Sequence, residues 1–278
     1  MKKLSTRRLL TIIGIVFIAI YSLFPVYWIG ITSFKPAREI AGFTPTFIPM
    51  QATLTHYVNL FGGEYYFQQY IVNSIIVAVG VVLITLIFST LAGYGLARFK
   101  LRGKNRLSDL LLFAYVTPPG VLLVPFFLMI SWLNILNTLG SLILVYPAFT
   151  IPFATWLLRS HFEQFPPELE EAAMVDGVGR LGILRRIVLP LSGPCLAVVV
   201  AYSLISSWTE YMFAFTFMRS ETLKTVPVAL AHSITVYHVD WGLLTAGAFI
   251  AVIPVLIIFL PMARQMMKGW EIGAALKG

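Results

Sequence analysis

PPELEEAAMVDGVGRLGILRRIVLP, residues 166–190, is an island of charge between two long apolar runs. Acids come first and arginines follow: Glu168, Glu170, Glu171, Asp176, Arg180, Arg185 and Arg186. A charge at the centre of a bilayer costs on the order of 3 kcal/mol, so a segment with this many ionisable groups does not lie in hydrocarbon. We expect it at the water-facing end of the helices that flank it.

The same segment predicts two short helices separated by a break. Pro167 suits a first helical position, and the three glutamates follow where the helix dipole favours anions. Gly177 and Gly179 are predicted to end this helix with a positive φ, and 181–189 to form a second helix that Pro190 stops. Because two adjacent alanines leave one face of the first helix flat, a partner could approach it closely, and we interpret it as a docking element. Helical spacing places on that face Leu169, Ala172, Ala173 and Asp176.

The spacing of these residues resembles the EAA signature of bacterial and archaeal ABC importer permeases. Glu171-Ala172-Ala173 is followed after three residues by Gly177, after nine more by Ile187, and then by Leu189-Pro190. The resemblance implies a cytoplasmic coupling helix that fits a groove on an ATPase subunit; a charged loop without a partner is the alternative. Glu171 would pair with a basic residue of the ATPase or cap its own helix. The residues implied in coupling are Glu171, Ala172, Ala173, Asp176, Gly177, Ile187, Leu189 and Pro190.

The composition indicates an integral membrane protein. Of the 278 residues, 58% are hydrophobic and 12% charged, about half the usual charged fraction, and the mean hydropathy is +0.85. The formal charge of +8 lies mainly at the ends of apolar runs, which favours topology signals and contact with anionic lipid over nucleic-acid binding. The single cysteine, Cys195, suits a packing role. No Walker motif or Cys/His metal cluster occurs, so the chain is not expected to hydrolyse ATP, hold a metal or act as an enzyme.

The apolar runs predict an all-α fold with six transmembrane helices. A signal peptide is the competing interpretation of the first run, which is too long for a typical one. The loop 98–106 carries five basic residues and no acid, which places it in the cytoplasm together with 159–190 and both termini. The coupling helices then lie between spans 4 and 5. The predicted spans are about 9–31, 71–97, 107–132 (with breakers at 117–120 and 125), 141–158, 194–218 and 241–262.

This topology divides the chain into three parts. Residues 1–31 form the N-terminal tail and first helix, and 32–69 an extracytoplasmic loop with a short helical piece near 56–61. Residues 70–278 form a five-helix permease core, with a coupling segment at 161–190 and a C-terminal tail at 264–278. The tail, GAALKG at 273–278, is similar to the ending of maltose-type permeases, where it can reach the ATPase dimer; a solvated end is the alternative.

The fifth span is unusually polar and is the predicted substrate path. Hydroxyl and carboxylate groups pair with sugar hydroxyls, and aromatic faces stack on pyranose rings; alternatively, the hydroxyls bond the helix backbone and the aromatics are interfacial anchors. WTEY at 208–211 resembles the Trp-Asn-Glu-Phe/Tyr stretch of sugar permeases, from which Thr209 departs. A buried Glu210 would need a cavity or a partner. The candidates are Ser203, Ser206, Ser207, Trp208, Glu210 and Tyr211.

Together these motifs resemble the carbohydrate-uptake branch of ABC permeases, the maltose-permease inner-subunit type, over nearly the whole chain. The resemblance implies a prokaryotic cytoplasmic-membrane subunit that pairs with a homologous second permease, two ATPase subunits and an extracytoplasmic substrate-binding protein. ATP and magnesium would bind to the ATPase, whose closure would move the coupling helices together and switch the cavity from inward- to outward-facing. The cargo would be a mono-, di- or oligosaccharide.

Two other functions remain open at this point. An importer of glycerol 3-phosphate or a related polyol would favour a cationic group in the path, yet spans two to six contain no Arg or Lys, although a partner permease could supply one. A secondary transporter or channel needs no ATPase, but would leave the complete EAA spacing as an accident.

Overall fold

The structure is a computed structural model that describes residues 6–62, 66–234 and 239–275. Within these ranges the chain is helical, and the β-structure is confined to an isolated antiparallel bridge between Ile234 and Val239. The predicted all-α class is therefore confirmed. The last three residues of the GAALKG tail lie outside the described ranges, and the final helix continues through Ala275, well beyond the predicted end of the sixth span near 262.

Four continuous helical stretches are long and apolar enough to cross a membrane. They are α1 (Thr6–Ser33), α4 (Phe67–Arg98), the pair α7 (Leu139–Val145) and α8 (Pro147–Phe162), and α15 (Trp241–Ala275). Two broken pairs also pass when taken together, so the described residues hold four to six spans, and the predicted six is the upper figure.

The third predicted span is one of these broken pairs. Helix α5 (Lys104–Val116) is followed by a 3₁₀ turn (Pro119–Leu122) and α6 (Leu123–Trp132), and the two halves meet at 92°. Thr117 and Pro118 are extended because a residue before proline avoids the α region and proline itself lacks an N–H. The breakers therefore turn the chain through about a right angle.

The fifth predicted span is shorter than expected. A continuous helix over 194–218 is wrong, because α12 (Gly193–Trp208) ends at Trp208 and the chain leaves helical geometry before α13 (Met212–Phe217). The remaining short helices are α2 (Ala37–Ile40), α3 (Thr55–Phe61), α9 (Pro167–Val175), α10 (Arg180–Ile183), α11 (Leu189–Leu191) and α14 (Val226–Ala231), with a π turn at Leu184–Val188 and a 3₁₀ turn at Glu221–Leu223. Helix α3 lies where the short helical piece near 56–61 was predicted.

Internal contacts divide the chain into two units. Unit 1 comprises residues 1–68 and 229–253, and unit 2 comprises 69–228 and 254–278. In unit 1 the loop after α1 folds onto the end of that helix: the Lys35 ammonium lies 4.6 Å from the Trp28 ring and donates to the Thr46 carbonyl at 2.5 Å. The Thr46 hydroxyl donates to Glu39 and lowers the pKa of that carboxyl group. The predicted boundaries at 31 and 69 concern membrane topology and stay a prediction.

Unit 2 is held together by close packing between α4 and α8. A Cβ added to Gly93 would lie 3.1 Å from Leu158 Cβ, so only glycine lets the two backbones approach this closely. Buried Thr85 and Thr150 share a hydrogen bond of 2.6 Å between the same helices. Cys195 is buried in the apolar cluster beside this contact, as its predicted packing role requires.

Candidate coupling segment and translocation cavity

Helix α9 begins at Pro167, where the two prolines and the acids that follow them predict the start of a helix. Pro166 is extended, Pro167 occupies the first turn, and Glu168 and Glu170 lie where the positive end of the helix dipole attracts them. No side chain caps this N-terminus, so Glu171 does not cap its own helix. In the described part of the chain Glu171 is exposed and has no ion pair.

Helix α9 ends at Val175, and Gly177 completes a Schellman arrangement after it. The Gly177 N–H donates to the Met174 carbonyl and the Val178 N–H to the Ala173 carbonyl, both at 3.0 Å, while Gly177 has φ +78°. The predicted positive φ at Gly179 is wrong: its φ is −67° and ψ 160°, and it precedes α10 as an extended N-cap. One left-handed residue already satisfies the terminal carbonyls, so a second is not needed.

The second half of the segment runs past Pro190. Helix α10 leads through the π turn into α11, which ends at Leu191, and the whole stretch meets α12 at 84°. The predicted stop at Pro190 is therefore wrong. Pro190 is the second residue of α11 and follows closely on the π turn Leu184–Val188.

The eight residues implied in coupling separate into two sets. The side chains of Glu171, Ala172, Asp176 and Pro190 are exposed, whereas those of Ala173, Ile187 and Leu189 are half-buried against the cluster around Tyr94 and Phe162; Gly177 is the exposed turn. Two further apolar side chains of the segment, which the motif does not include, are exposed: Val175, one turn after Glu171, is 88% exposed, and Leu181 on α10 is 70% exposed. Glu171 and Ala172 thus share an open surface with apolar groups, as a docking site for another protein requires.

A buried ion pair that sequence analysis missed anchors α9. Glu170 is only 4% exposed and accepts from Arg98 Nε at 2.6 Å and from the Tyr94 hydroxyl at 2.7 Å. The signal was present in the sequence, because Glu170 lies three residues before Ala173 and so shares its inward face. For its partner Arg98, the sequence pattern alone indicates only a topology signal.

A second set of polar contacts ties α8 to the basic loop. Arg159 donates to Glu163 Oε1 and to Asn105 Oδ1, each at 3.0 Å, and also contacts the Ser108 hydroxyl. Because the Arg159 side chain is only 12% exposed, these bonds are better shielded from water than the exposed pair of Lys104 with Glu163 at 3.9 Å. The loop 98–106 is therefore fixed to the start of the coupling segment.

Part of the predicted substrate path lines a cavity of about 300 Å³ in unit 2. Ser206, Ser207 and Glu210 line it, but Ser203 is buried and donates to the Val199 carbonyl at 2.8 Å. Trp208 packs instead in the cluster of Ala78 and Leu204, and Tyr211 is exposed and stacks on Phe215 at 5.3 Å. The other lining residues are Tyr115, Thr117, Pro119, Tyr146, Phe149, Thr150, Tyr202 and Phe213.

Glu210 is the charged group of this cavity. Its carboxylate accepts from the backbone N–H groups of Phe213 at 2.9 Å and Ala214 at 3.2 Å, and from the Tyr146 hydroxyl. These donors replace the water that a partly buried carboxylate loses, and the N-terminus of α13 adds a favourable dipole. The break at 209–211 thus brings Glu210 beside the cavity with all its donors in place.

Aromatic rings form one wall of the cavity. The Tyr202 ring lies 4.5 Å from that of Phe153 and 6.4 Å from that of Tyr115. Tyr115 is not among the residues predicted for the path from the sequence, and it lies at the wall where the chain turns sharply after Thr117. The lining contains no Lys or Arg.

Comparison with known proteins places the chain in a family. The profile described as "Binding-protein-dependent transport system inner membrane component" matches residues 87–268, more than half of the chain, and the chain belongs to this family. The chain is 34% identical, over the whole of both proteins, to the "Trehalose/maltose transport system permease protein MalG" of Thermococcus litoralis. It is also 33% identical to the "Inner membrane ABC transporter permease protein YcjP" of Escherichia coli, over 94% of this chain and 93% of that one.

A third relative and a solved structure extend the comparison. The "Arabinooligosaccharides transport system permease protein AraQ" of Halalkalibacterium halodurans is 31% identical over 94% of each chain. A chain of a bacterial ABC transporter involved in the import of the acidic polysaccharide alginate has the same fold, with a TM-score of 0.78 at 24% identity, over 95% of this chain and 99% of that one. The predicted membership of the ABC importer permeases is confirmed, and the protein is a multi-pass component of the cytoplasmic membrane.

Proposed function

We propose that this chain is the membrane-spanning permease subunit of an ATP-driven, binding-protein-dependent importer that carries a sugar. The observation that carries the proposal is the full-length similarity to a permease named for trehalose and maltose. Relatives named for arabinooligosaccharides and diacetylchitobiose, aligned over 94% and 90% of this chain, support the same cargo class. The family description supports delivery by an extracytoplasmic binding protein.

The cavity favours a neutral sugar. Glu210 is its charged group, and the hydroxyls of Ser206 and Tyr202 and the ring of Tyr115 offer hydrogen bonds and stacking surfaces. A phosphate group would meet this carboxylate with no basic side chain in the lining to compensate it, and like charges in a poorly solvated site repel strongly. Glycerol 3-phosphate is therefore not favoured as the cargo.

The coupling segment 161–190 is the proposed docking site for an ATPase subunit. The segment exposes Glu171 and Ala172 together with the apolar side chains of Val175 and Leu181, which supports contact with a protein groove. In this arrangement the segment, the loop 98–106 and both termini are cytoplasmic. The complete importer contains a homologous second permease and two ATPase subunits that bind ATP and magnesium, and this chain itself performs no covalent chemistry.

In the proposed mechanism, the coupling segment transmits the movement of the ATPase subunits to the membrane spans. Closure of the ATPases on ATP draws the two coupling segments together. Because α9 is bonded to the end of α4 through Glu170, and α8 to the basic loop through Arg159, the movement reaches the spans that enclose the cavity. The cavity then opens to the side on which the binding protein delivers its sugar.

Reconstitution of the purified importer tests this function. The chain is purified from its native membrane under mild detergent, associated proteins are identified by mass spectrometry, and ATP hydrolysis is measured with the recovered binding protein and neutral sugars. We expect a second permease, an ATPase and sugar-stimulated hydrolysis. Recovery of the chain alone, with sugar movement independent of ATP, would instead identify a secondary transporter.

A further inference from the structure

The acids at the start of α9 have different environments, although the sequence presents them as a group. Glu168 and Glu171 are exposed, whereas Glu170 is 4% exposed. Each oxygen of the Glu170 carboxylate has a donor of its own, Arg98 Nε on Oε1 at 2.6 Å and the Tyr94 hydroxyl on Oε2 at 2.7 Å. A carboxylate held through both oxygens has a defined orientation as well as a defined position.

Arg98 forms hydrogen bonds with two parts of the coupling segment. Besides its bond to Glu170, it donates from Nη2 to the Phe165 carbonyl at 3.0 Å, in the turn that leads into α9. The Arg98 and Glu170 side chains are 11% and 5% exposed, so water does not readily replace either partner. The last turn of α4 is therefore bonded both to the turn that precedes α9 and to α9 itself.

The other side of this contact is rigid. Tyr94 and Arg98 lie one turn apart on α4, and Tyr94 also packs edge-to-face on Phe162 of α8, with ring centroids 6.2 Å apart. One residue earlier, Gly93 lies against α8, where an added Cβ would meet the Arg159 backbone nitrogen at 3.1 Å. Because the backbones of α4 and α8 are already in contact here, their packing leaves little room to absorb a displacement of α9.

We propose that Glu170 is a positioning residue that transmits the movement of the coupling helix α9 to the membrane span α4 through Arg98 and Tyr94. This inference rests on the proposed coupling role of α9. Glu171, one residue further, faces the ATPase, while Glu170 faces the spans. The two adjacent acids thus connect the ATPase, through Glu171, with the membrane spans, through Glu170. Loss of the Glu170 charge uncouples ATP hydrolysis from sugar transport and leaves in place the surface of this chain that faces the ATPase.

The substitution Glu170→Gln tests the contact between α9 and α4, because glutamine has the same size as glutamate but no charge. Glu168→Gln is the matched control: it removes an exposed acid of the same helix. Each variant of this chain is purified with its associated proteins and placed in liposomes, and three quantities are measured: the yield of the complex, the basal ATP hydrolysis, and the sugar transported per ATP hydrolysed.

We expect Glu170→Gln to assemble and hydrolyse ATP at the wild-type basal rate, but to transport about ten-fold less sugar per ATP, within the usual range of coupling between sites. Glu168→Gln leaves the bonds between Glu170 and α4 intact and should keep the wild-type amount of sugar transported per ATP hydrolysed. An unchanged ratio of transport to hydrolysis in the assembled Glu170→Gln complex would overturn the proposal, and together with a reduced yield it would be the signature of a residue that only stabilises the fold.

Tyr94→Phe tests the proposed role of Glu170 if the Glu170→Gln complex does not assemble. It keeps the ion pair and the ring packing and removes only the hydroxyl that orients the carboxylate, so it should lower the ratio at normal yield; an unchanged ratio there overturns the proposal. A wild-type complex that lacks sugar-stimulated hydrolysis is a separate outcome, since it overturns the proposed function before any variant is compared.

Discussion

Replacing Gly177 by valine tests the role of the turn that ends α9. Gly177 has φ +78°, and an added Cβ would meet no atom within 4 Å, so the substitution creates backbone strain without a steric clash in the chain itself. A non-glycine residue in a sparsely populated backbone region costs about 1–3 kcal/mol, with β-branched residues at the unfavourable end. Since 1.4 kcal/mol is a factor of ten, the native turn would lose about 5- to 150-fold in population.

The assay is sugar uptake at matched membrane levels of the protein. Gly177→Val should abolish most uptake while the protein remains inserted, because the turn sets the direction of the chain from α9 to α10. Gly177→Asn should lose less, since asparagine tolerates the left-handed region. The matched control is Gly179→Val: an added Cβ is equally free of contacts there, but φ is −67°. Wild-type uptake in Gly177→Val, or an equal loss in Gly179→Val, would refute the argument.

Three other substitutions give separate tests. Glu171→Lys should abolish uptake but leave insertion and thermal stability unchanged, because the side chain is exposed and its contact is expected outside this chain; retained uptake at full expression would contradict the coupling assignment. Gly93→Val should lower the melting temperature in detergent through overpacking of about 1–3 kcal/mol against Leu158, whereas Gly95→Ala, whose Cβ would lie 3.7 Å from its nearest neighbour, should not. Glu210→Ala should cost about 1–3 kcal/mol more stability than Glu210→Gln, because alanine leaves two backbone N–H groups and a tyrosine hydroxyl without their acceptor; equal melting temperatures would show that these bonds are not needed.

The substrate path illustrates where sequence reasoning stops. Polar residues at 203–211 marked the correct region, yet Ser203 bonds its own helix and Trp208 packs in an apolar cluster. Which side chains of one helix face a cavity depends on the neighbouring helices, and serine has the same composition signal in both roles. Tyr115 reaches the cavity from a distant part of the sequence, through a right-angled break whose angle no local pattern predicts.

The sequence by itself determined the class of the protein and the place of its coupling segment. Hydropathy and charge placement indicate membrane helices because the cost of burying charge in hydrocarbon is large and depends on residue type alone. The spacing from Glu171 to Pro190 identified the family because the turn and docking surface are built from residues close in the chain.

Only the tertiary structure decided which of two adjacent acids is buried. Glu170 and Glu171 are chemically identical, and their difference arises from Arg98 and Tyr94, more than seventy residues away. Such a choice depends on partners that folding brings together, so no local rule of sequence contains it.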